Sequence, residues 1–138
     1  MEEDILKVIK ERENLLKQIA IGTTVYSMFE NEELPFFLCV FDLERLEFLT
    51  VSKSCKSIFG YNQKEMEGGK FIDFIFDAVE AEKGLKAIDE NLNTGVNLIG
   101  FENHYKHKNG SIVEVVWYTG KGKDLKTFAI GIPKGQKN

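Results

Sequence analysis

The sequence predicts an α+β domain built on one antiparallel sheet with helices over one face. Two observations carry the prediction. Apolar runs of strand length gather at both ends of the chain, before residue 52 and after residue 97, around a middle whose apolar residues recur at helical spacing. The dipeptide Asn109-Gly110 sits between two alternating runs, a strong hairpin signal. The chain has 138 residues, which suits a single domain with a core of its own. Its composition is globular, with 43% hydrophobic residues and 11 Phe against 2 Pro.

Residues 3 to 21 read as a helix. Ile5, Ile9, Leu16 and Ile19 form a coiled-coil-like stripe, and Arg12 fills the one polar position in it. An isolated helix of this length is marginal in water, so the stripe needs cover from its own domain or from a second copy. Gly22-Thr23-Thr24 kinks or ends it, and Val25 to Glu33 forms a second helical piece that Leu34-Pro35 stops.

Phe36 to Asp42 is a short buried strand, and Phe48 to Val51 pairs with it as a hairpin. The stretch from Ser52 to Phe76 is a series of short helical turns. Cys55, Ile58 and Phe59 share a helix face, Gly60 stops that helix, Gln63 to Glu67 makes another turn, and Gly68-Gly69 breaks again. Asp77 caps a longer helix to Asn93, with Val79, Leu85, Ile88 and Leu92 as its apolar side and Gly84 as a weak point that bends or loosens it. Leu98 to Lys108 and Ser111 to Thr119 make the second hairpin. Thr127 to Ile132 is the last strand, and Pro133 ends its pairing.

At the level of these residues the chain resembles the PAS sensory domain, over about residues 34–133. Pro35 through Asp42 is similar to that family's first strand. Phe59-Gly60-Tyr61 followed by Lys64-Glu65-Met66-Glu67-Gly68 resembles its "GY…EE(L/M)xG" signature. Phe101-Glu102 leading to Lys108-Asn109-Gly110 resembles its "FE…K(D/N)G" segment, and Ala129-Ile130-Gly131-Ile132 its last strand. The chain departs from the pattern at Ser52, where the family often has asparagine, and at Pro133-Lys134-Gly135, which replaces the usual exit toward an effector. The resemblance divides the chain into an amphipathic helical extension (1–33), a PAS domain (34–133) and a polar tail (134–138).

The resemblance implies a five-stranded antiparallel sheet curved around a small cavity, with short helices on one face and the N-terminal helix covering the other face or a partner. It turns the odd-numbered strand residues inward. The pocket candidates are Phe37, Cys39 and Phe41 on the first strand, with Phe101, Asn103 and Tyr105 on the third and Val115 and Trp117 on the fourth. From the helical middle come Phe59, Phe71, Phe74 and Ile75, and from the long helix Ile88 and Leu92. With so many phenylalanines, the cavity is expected to be filled largely by its own side chains. The opposite sheet face is apolar too, and a sheet apolar on both sides needs a second cover. Ile5, Ile9, Leu16 and Ile19, with Val40, Tyr118, Phe128 and Ile130, are therefore candidates for a homodimer interface.

The function the resemblance implies is a noncatalytic sensory module. It would act by dimerisation or by binding a small apolar ligand, upstream of a bacterial-type effector such as a histidine kinase or transcriptional regulator. No cofactor is predicted. The flavin-photosensor branch of the family carries a reactive cysteine near a position matching Gly69-Lys70-Phe71, where this chain has none, although Trp117 and Asn103 offer a noncovalent flavin a stacking surface and a hydrogen bond. Haem-binding relatives place a histidine on the long helix, which here has none, and His104 and His107 sit on opposite strand faces, so haem and metal are disfavoured. A small acid/base enzyme using Glu102 and His104 is the other alternative.

A net charge of −4 leaves no electrostatic footprint for nucleic acid, and the apolar runs are too short to cross a membrane. Met1 opens onto acidic residues rather than a signal peptide, and Cys39 and Cys55 make no disulfide framework, so a reducing, cytoplasmic setting is expected.

Overall fold

The computed structural model describes residues 5–12, 22–121 and 125–137. Helix α1 (5–12) and helix α2 (Gly22–Phe29) precede the first hairpin, β1 (Phe37–Asp42) and β2 (Glu47–Val51). Helices α3 (Cys55–Phe59) and α4 (Gln63–Met66) and the 3₁₀ turn Phe71–Asp73 form the middle. Helix α5 (Ala78–Glu90), a 3₁₀ turn Leu92–Thr94 and strands β3 (Ile99–Lys106), β4 (Ile112–Lys121) and β5 (Lys126–Lys137) complete the chain.

The five strands form one antiparallel sheet in the order β2-β1-β5-β4-β3. The last strand is thus the central one. The helical middle closes the sheet upon itself by bonding to both of its edges. At the β2 edge, Phe48 donates to Gly69 O, Gly68 donates to Phe48 O, and Phe71 donates to Leu46 O. At the β3 edge, Phe76 donates to His104 O and Lys106 donates to Phe74 O. Backbone groups that would otherwise be exposed on two edge strands are satisfied this way, which also removes a template for aggregation.

Local signals explain the short helices. Asn62 caps α4 with a reciprocal capping box, its Oδ1 accepting from Glu65 N while Glu65 Oε1 accepts from Asn62 N. Gly60 ends α3 at φ +83, and its N–H bonds Lys56 O. Asp77 Oδ1 accepts from Glu80 N at the start of α5. Ser52 links the first hairpin to the middle: its Oγ accepts from Leu38 N at 2.9 Å and bonds Ser54 Oγ at 2.6 Å, and Ser54 Oγ donates to Phe36 O at 2.7 Å.

Two cores flank the sheet. The inner one packs Phe37, Cys39, Phe41, Tyr105, Val113, Val115, Trp117 and Ala129 from the sheet against Phe59, Met66, Phe71, Phe74 and Ile75 from the middle and Ile88 from α5. Edge-on aromatic pairs run through it, including Phe37 with Phe59, Phe37 with Trp117 and Phe41 with Phe71. The outer core is smaller, with Phe29 and Leu34 over Leu38 and Val40 and with Phe128 and Ile130 at its margin.

The structure corrects several expectations. Of the predicted helix 3–21, residues 5–12 are helical, and 13–21 lie outside the described residues. The second helix ends at Phe29 rather than Glu33, because Asn31 Oδ1 accepts from Glu33 N and turns the chain early. The last strand does not stop at Pro133. It runs to Lys137, so most of the expected tail is strand, and the register shift between Val113 and Val115 accommodates the proline opposite Val115. On α5 the expected apolar side is only half right: Ile88 is buried and Leu92, just past the helix, packs on the inner core, but Val79 is 74% exposed and Leu85 is exposed, while Gly84 and Ala87 are buried. The second hairpin turns through Lys108, Asn109 and Gly110, with Gly110 N bonding His107 O, one residue longer than a two-residue loop.

Candidate functional site

A cavity of about 60 Å³ opens between the concave face of the sheet and α5. The sheet supplies Cys39, Phe41, Phe48, Phe101, Asn103, Tyr105, Trp117, Thr119, Thr127 and Ala129, and the cover supplies Phe71, Gly84, Ile88, Leu92 and Leu98. Among the described residues, no charged one lines it.

Strand alternation places Phe101, Asn103 and Tyr105 on the same face of β3 and sends Glu102 and His104 the other way. Gly84 is what lets α5 come close. A methyl group there would lie 3.0 Å from the Phe71 ring and 3.3 Å from Asn103 Nδ2. The glycine read from sequence as a weak point of the helix is instead the place where the helix leaves room for its neighbours.

The polar atoms around the cavity fall into two groups. Thr119 Oγ1 accepts from Leu98 N at 2.8 Å and bonds Asn97 Oδ1 at 3.3 Å, and Thr127 Oγ1 donates to Gly120 O at 2.9 Å. Those hydroxyls are engaged. Asn103 is 3% exposed, and its Oδ1 accepts from His104 N at 2.8 Å. Tyr105 is 4% exposed. Among the described residues Asn103 Nδ2 and the Tyr105 hydroxyl make no hydrogen bond to the protein beyond those named, while the one fully enclosed side-chain polar atom without a hydrogen-bond partner is Glu80 Oε2. Burial pushes the Tyr105 phenol and the Cys39 thiol upward, so both are neutral donors.

Nine of the fourteen pocket candidates line this cavity: Cys39, Phe41, Phe71, Ile88, Leu92, Phe101, Asn103, Tyr105 and Trp117. The other five, Phe37, Phe59, Phe74, Ile75 and Val115, are buried in the inner core beside it and close its floor. The pocket candidates omitted Phe48, Gly84, Leu98, Thr119, Thr127 and Ala129, of which Thr119 is an odd-numbered β4 residue already expected to face inward. Phe48, Thr127 and Ala129 follow from extending the odd-face rule across the β1 pairings, in which Phe41 faces both Phe48 and Thr127 and Cys39 faces Ala129. Leu98 precedes its strand and had no periodic signal.

Of the interface candidates, Ile5 is 55% exposed and Ile9 is also exposed. Leu16 and Ile19 lie outside the described residues. Val40 is 0% exposed beneath the chain's own α2, so it offers no surface to a partner. Phe128 and Ile130 are half-buried at the edge of that cover, and Tyr118 is exposed.

The residues named for an acid/base enzyme stand outside the cavity. Glu102 is paired with Lys134 on the surface, and His104 lies between Glu80 and Glu114, the latter at 3.4 Å. His107 packs its ring over Gly60. Among the described residues no group of three His, Cys, Asp or Glu is placed to hold a metal ion, and no helix is long and apolar enough to cross a membrane.

No protein-family model matches the chain, and no curated protein matches it. Solved structures do. The PAS domain of the Cronobacter turicensis quorum-sensing receptor RpfR, in complex with BDSF, superposes with a TM-score of 0.64 at 13% identity, covering 75% of this chain and 97% of that one. A domain of a sensory box sensor histidine kinase/response regulator from Geobacter sulfurreducens gives 0.60 at 18% identity, covering 79% and 90%. The PAS domain of an HTR-like protein from Haloarcula marismortui gives 0.57 at 20% identity, covering 80% and 94%. The fold is the PAS fold.

Proposed function

We propose that this PAS-fold chain is a noncatalytic sensory module that binds a small, mainly apolar molecule between its sheet and α5. The observation that carries the reading is the cavity, which is lined by aromatic and aliphatic side chains and has a few neutral polar atoms turned into it. That composition is typical of a small-molecule site. The sensory context of the structural relatives supports it, and one of them is a receptor with a small ligand bound. The lining thiol and phenol, Cys39 and Tyr105, are held neutral by burial and the threonine hydroxyls are engaged, which speaks for binding rather than turnover. A flavin redox sensor is the weaker reading, because about 60 Å³ is far below the several hundred cubic ångströms of a usual cofactor pocket.

The signal would leave through the helices, in a homodimer whose seam is the exposed stripe of α1, and would pass to a cytoplasmic effector such as a histidine kinase or transcriptional regulator. Ile5, Leu6, Val8 and Ile9 are all exposed, an apolar surface that a second copy would cover. Sedimentation of the full chain against an Ile5→Glu/Ile9→Glu variant tests the seam, and equal mass for the two would end the dimer proposal. Removing residues 1–30 would be a poorer test, since Phe29 is part of the outer core.

Trp117 is the chain's single tryptophan and lines the cavity. A molecule that enters should change its fluorescence and raise the thermal midpoint. A broad panel of small apolar compounds that moves neither signal would refute the ligand-binding reading.

A further inference from the structure

Resting on the ligand-binding reading, we infer that Asn103 and Tyr105 form a polar anchor inside the cavity, and that the molecule they take is uncharged and carries a hydrogen-bond acceptor, such as a ketone, ester or amide on a short apolar body.

The orientation of Asn103 is fixed by its own backbone. The His104 N–H is a donor and only the amide oxygen accepts it, at 2.8 Å. The opposite end of the side chain, Nδ2 with two N–H donors, therefore faces α5 at the point where Gly84 has no side chain. A largely buried amide donor without a partner is unfavourable. The protein leaves that donor unpaired beside the cavity, while the Thr119 and Thr127 hydroxyls nearby are bonded internally. Tyr105 lies two residues along on the same strand face and also lines the cavity, a second neutral donor beside the amide. An acceptor atom placed against Asn103 Nδ2 satisfies what the fold leaves open.

The same surroundings select against charge. Among the described residues no cationic one lines the cavity, and Lys83, whose Nζ lies 5.4 Å from the centre of the lining Phe101 ring, is 3.9 Å from Glu80. A carboxylate drawn down to Asn103 would be desolvated without a counter-charge, which is strongly unfavourable. A carbonyl oxygen loses far less on entering and gains the amide.

Three molecules of similar bulk test this on the full chain: 2-hexanone, hexanoate at neutral pH, and toluene. Binding is followed by Trp117 fluorescence and by the Asn103 side-chain amide signals in a ¹⁵N NMR spectrum. The ketone should shift the Asn103 amide signals while toluene, binding in the same cavity, leaves them nearly in place. Asn103→Leu should weaken the ketone about three- to tenfold and alter toluene by less than about twofold. Hexanoate should bind at least about tenfold more weakly than the ketone. If ketone and toluene bind alike in both proteins, or the Asn103 amide signals ignore the ketone, the anchor is refuted while the cavity reading stands. If hexanoate matches the ketone, the neutral class is refuted. If none of the three perturbs Trp117 or Asn103, the cavity reading falls together with the anchor. The wild-type amide shifts decide the matter even if Asn103→Leu does not fold.

Discussion

Arg12 of α1 donates to Glu67 Oε1 at 2.8 Å, across 55 positions of sequence. The other oxygen of the same carboxylate accepts from Thr50 Oγ1 at 2.9 Å and from Val51 N at 3.1 Å. One side chain at the end of α4 therefore holds both the β2 end and the N-terminal helix. Arg12 is the residue that interrupts the apolar stripe, and it does so because it is turned toward the domain, where Glu30 also faces it at 3.5 Å. Both partners are mostly shielded from solvent, so the pair is worth more than a surface ion pair. Glu67→Ala should lower stability by about 2 kcal/mol in denaturant unfolding, since it also orphans Val51 N–H. Arg12→Met should cost less and should mainly speed amide exchange in residues 5–12. Unchanged exchange there would mean the helix is held by something else.

Ser52 is the second point of dependence. Its hydroxyl is buried, and it satisfies Leu38 N–H while bonding Ser54. Ser52→Ala leaves a buried donor unpaired and should destabilise by about 1–3 kcal/mol. Ser52→Asn would test whether the amide common at this place in similar domains can reach Leu38 N as well.

Gly60 and His107 make a pair in which one residue's lack of a side chain accommodates the other's ring. A methyl at Gly60 would fall 2.5 Å from His107 Cε1, and the backbone there has φ +83. Gly60→Ala should lose about 1–2 kcal/mol from conformation alone, plus the cost of displacing the ring. His107→Ala in the same chain should restore only the second part. Full restoration would mean the left-handed backbone carries no penalty.

The thiols should be inert. Burial, with Glu67 nearby, pushes Cys55 up to about 12, and Cys39 is raised further by burial alone. Thiolate is the reactive form, so a disulfide reagent at neutral pH should label neither residue until the protein unfolds. Labelling at native rates typical of an exposed thiol would contradict the packing described for both.

Acid should weaken the link between α4 and the second hairpin. Glu65 lies below its ordinary 4.5 because Lys108 Nζ donates to Oε2 at 2.7 Å and Asn62 N donates to Oε1. A carboxyl whose folded value is depressed lends stability above its unfolded value and loses it as pH falls through the folded one. Lys108→Met should therefore reduce stability slightly at pH 7, with the difference from wild type shrinking as pH falls below 4.5 and vanishing only once pH is below the depressed folded value. A difference that persisted in acid would point to packing rather than charge.

Much of this was legible in the residues. The order of the hydrophobic runs, Gly60, the Asp77 cap and the alternation of strand faces follow from local rules, because each depends on neighbours within a few positions, while the resemblance supplied which face looks inward. What depended on distant partners was not legible. On α5, Ile88 is buried as expected, but Gly84 and Ala87 share that side because Phe71 and Asn103 come close at Gly84, so Val79 and Leu85 misled. The continuation of β5 past Pro133 depends on a register shift in β4, and the sealing of Val40 depends on where α2 lands. In the cavity, periodicity found the lining strands, while the unspent donor on Asn103 could be recognised only once His104 N was seen to occupy the other end of its amide.

β5 is the last strand made and the middle of the sheet, hydrogen-bonded to β1 on one side and β4 on the other. During synthesis the two hairpins have no strand between them until residue 126 and beyond has emerged. The N-terminal hairpin, with its apolar Phe37–Phe41 run, must then wait for nearly the whole domain. Its folding is governed by contacts distant in sequence, which makes for slow assembly and a period of exposed strand edge. A nascent chain cut short before β5 should be a substrate for chaperones, whatever the finished domain does.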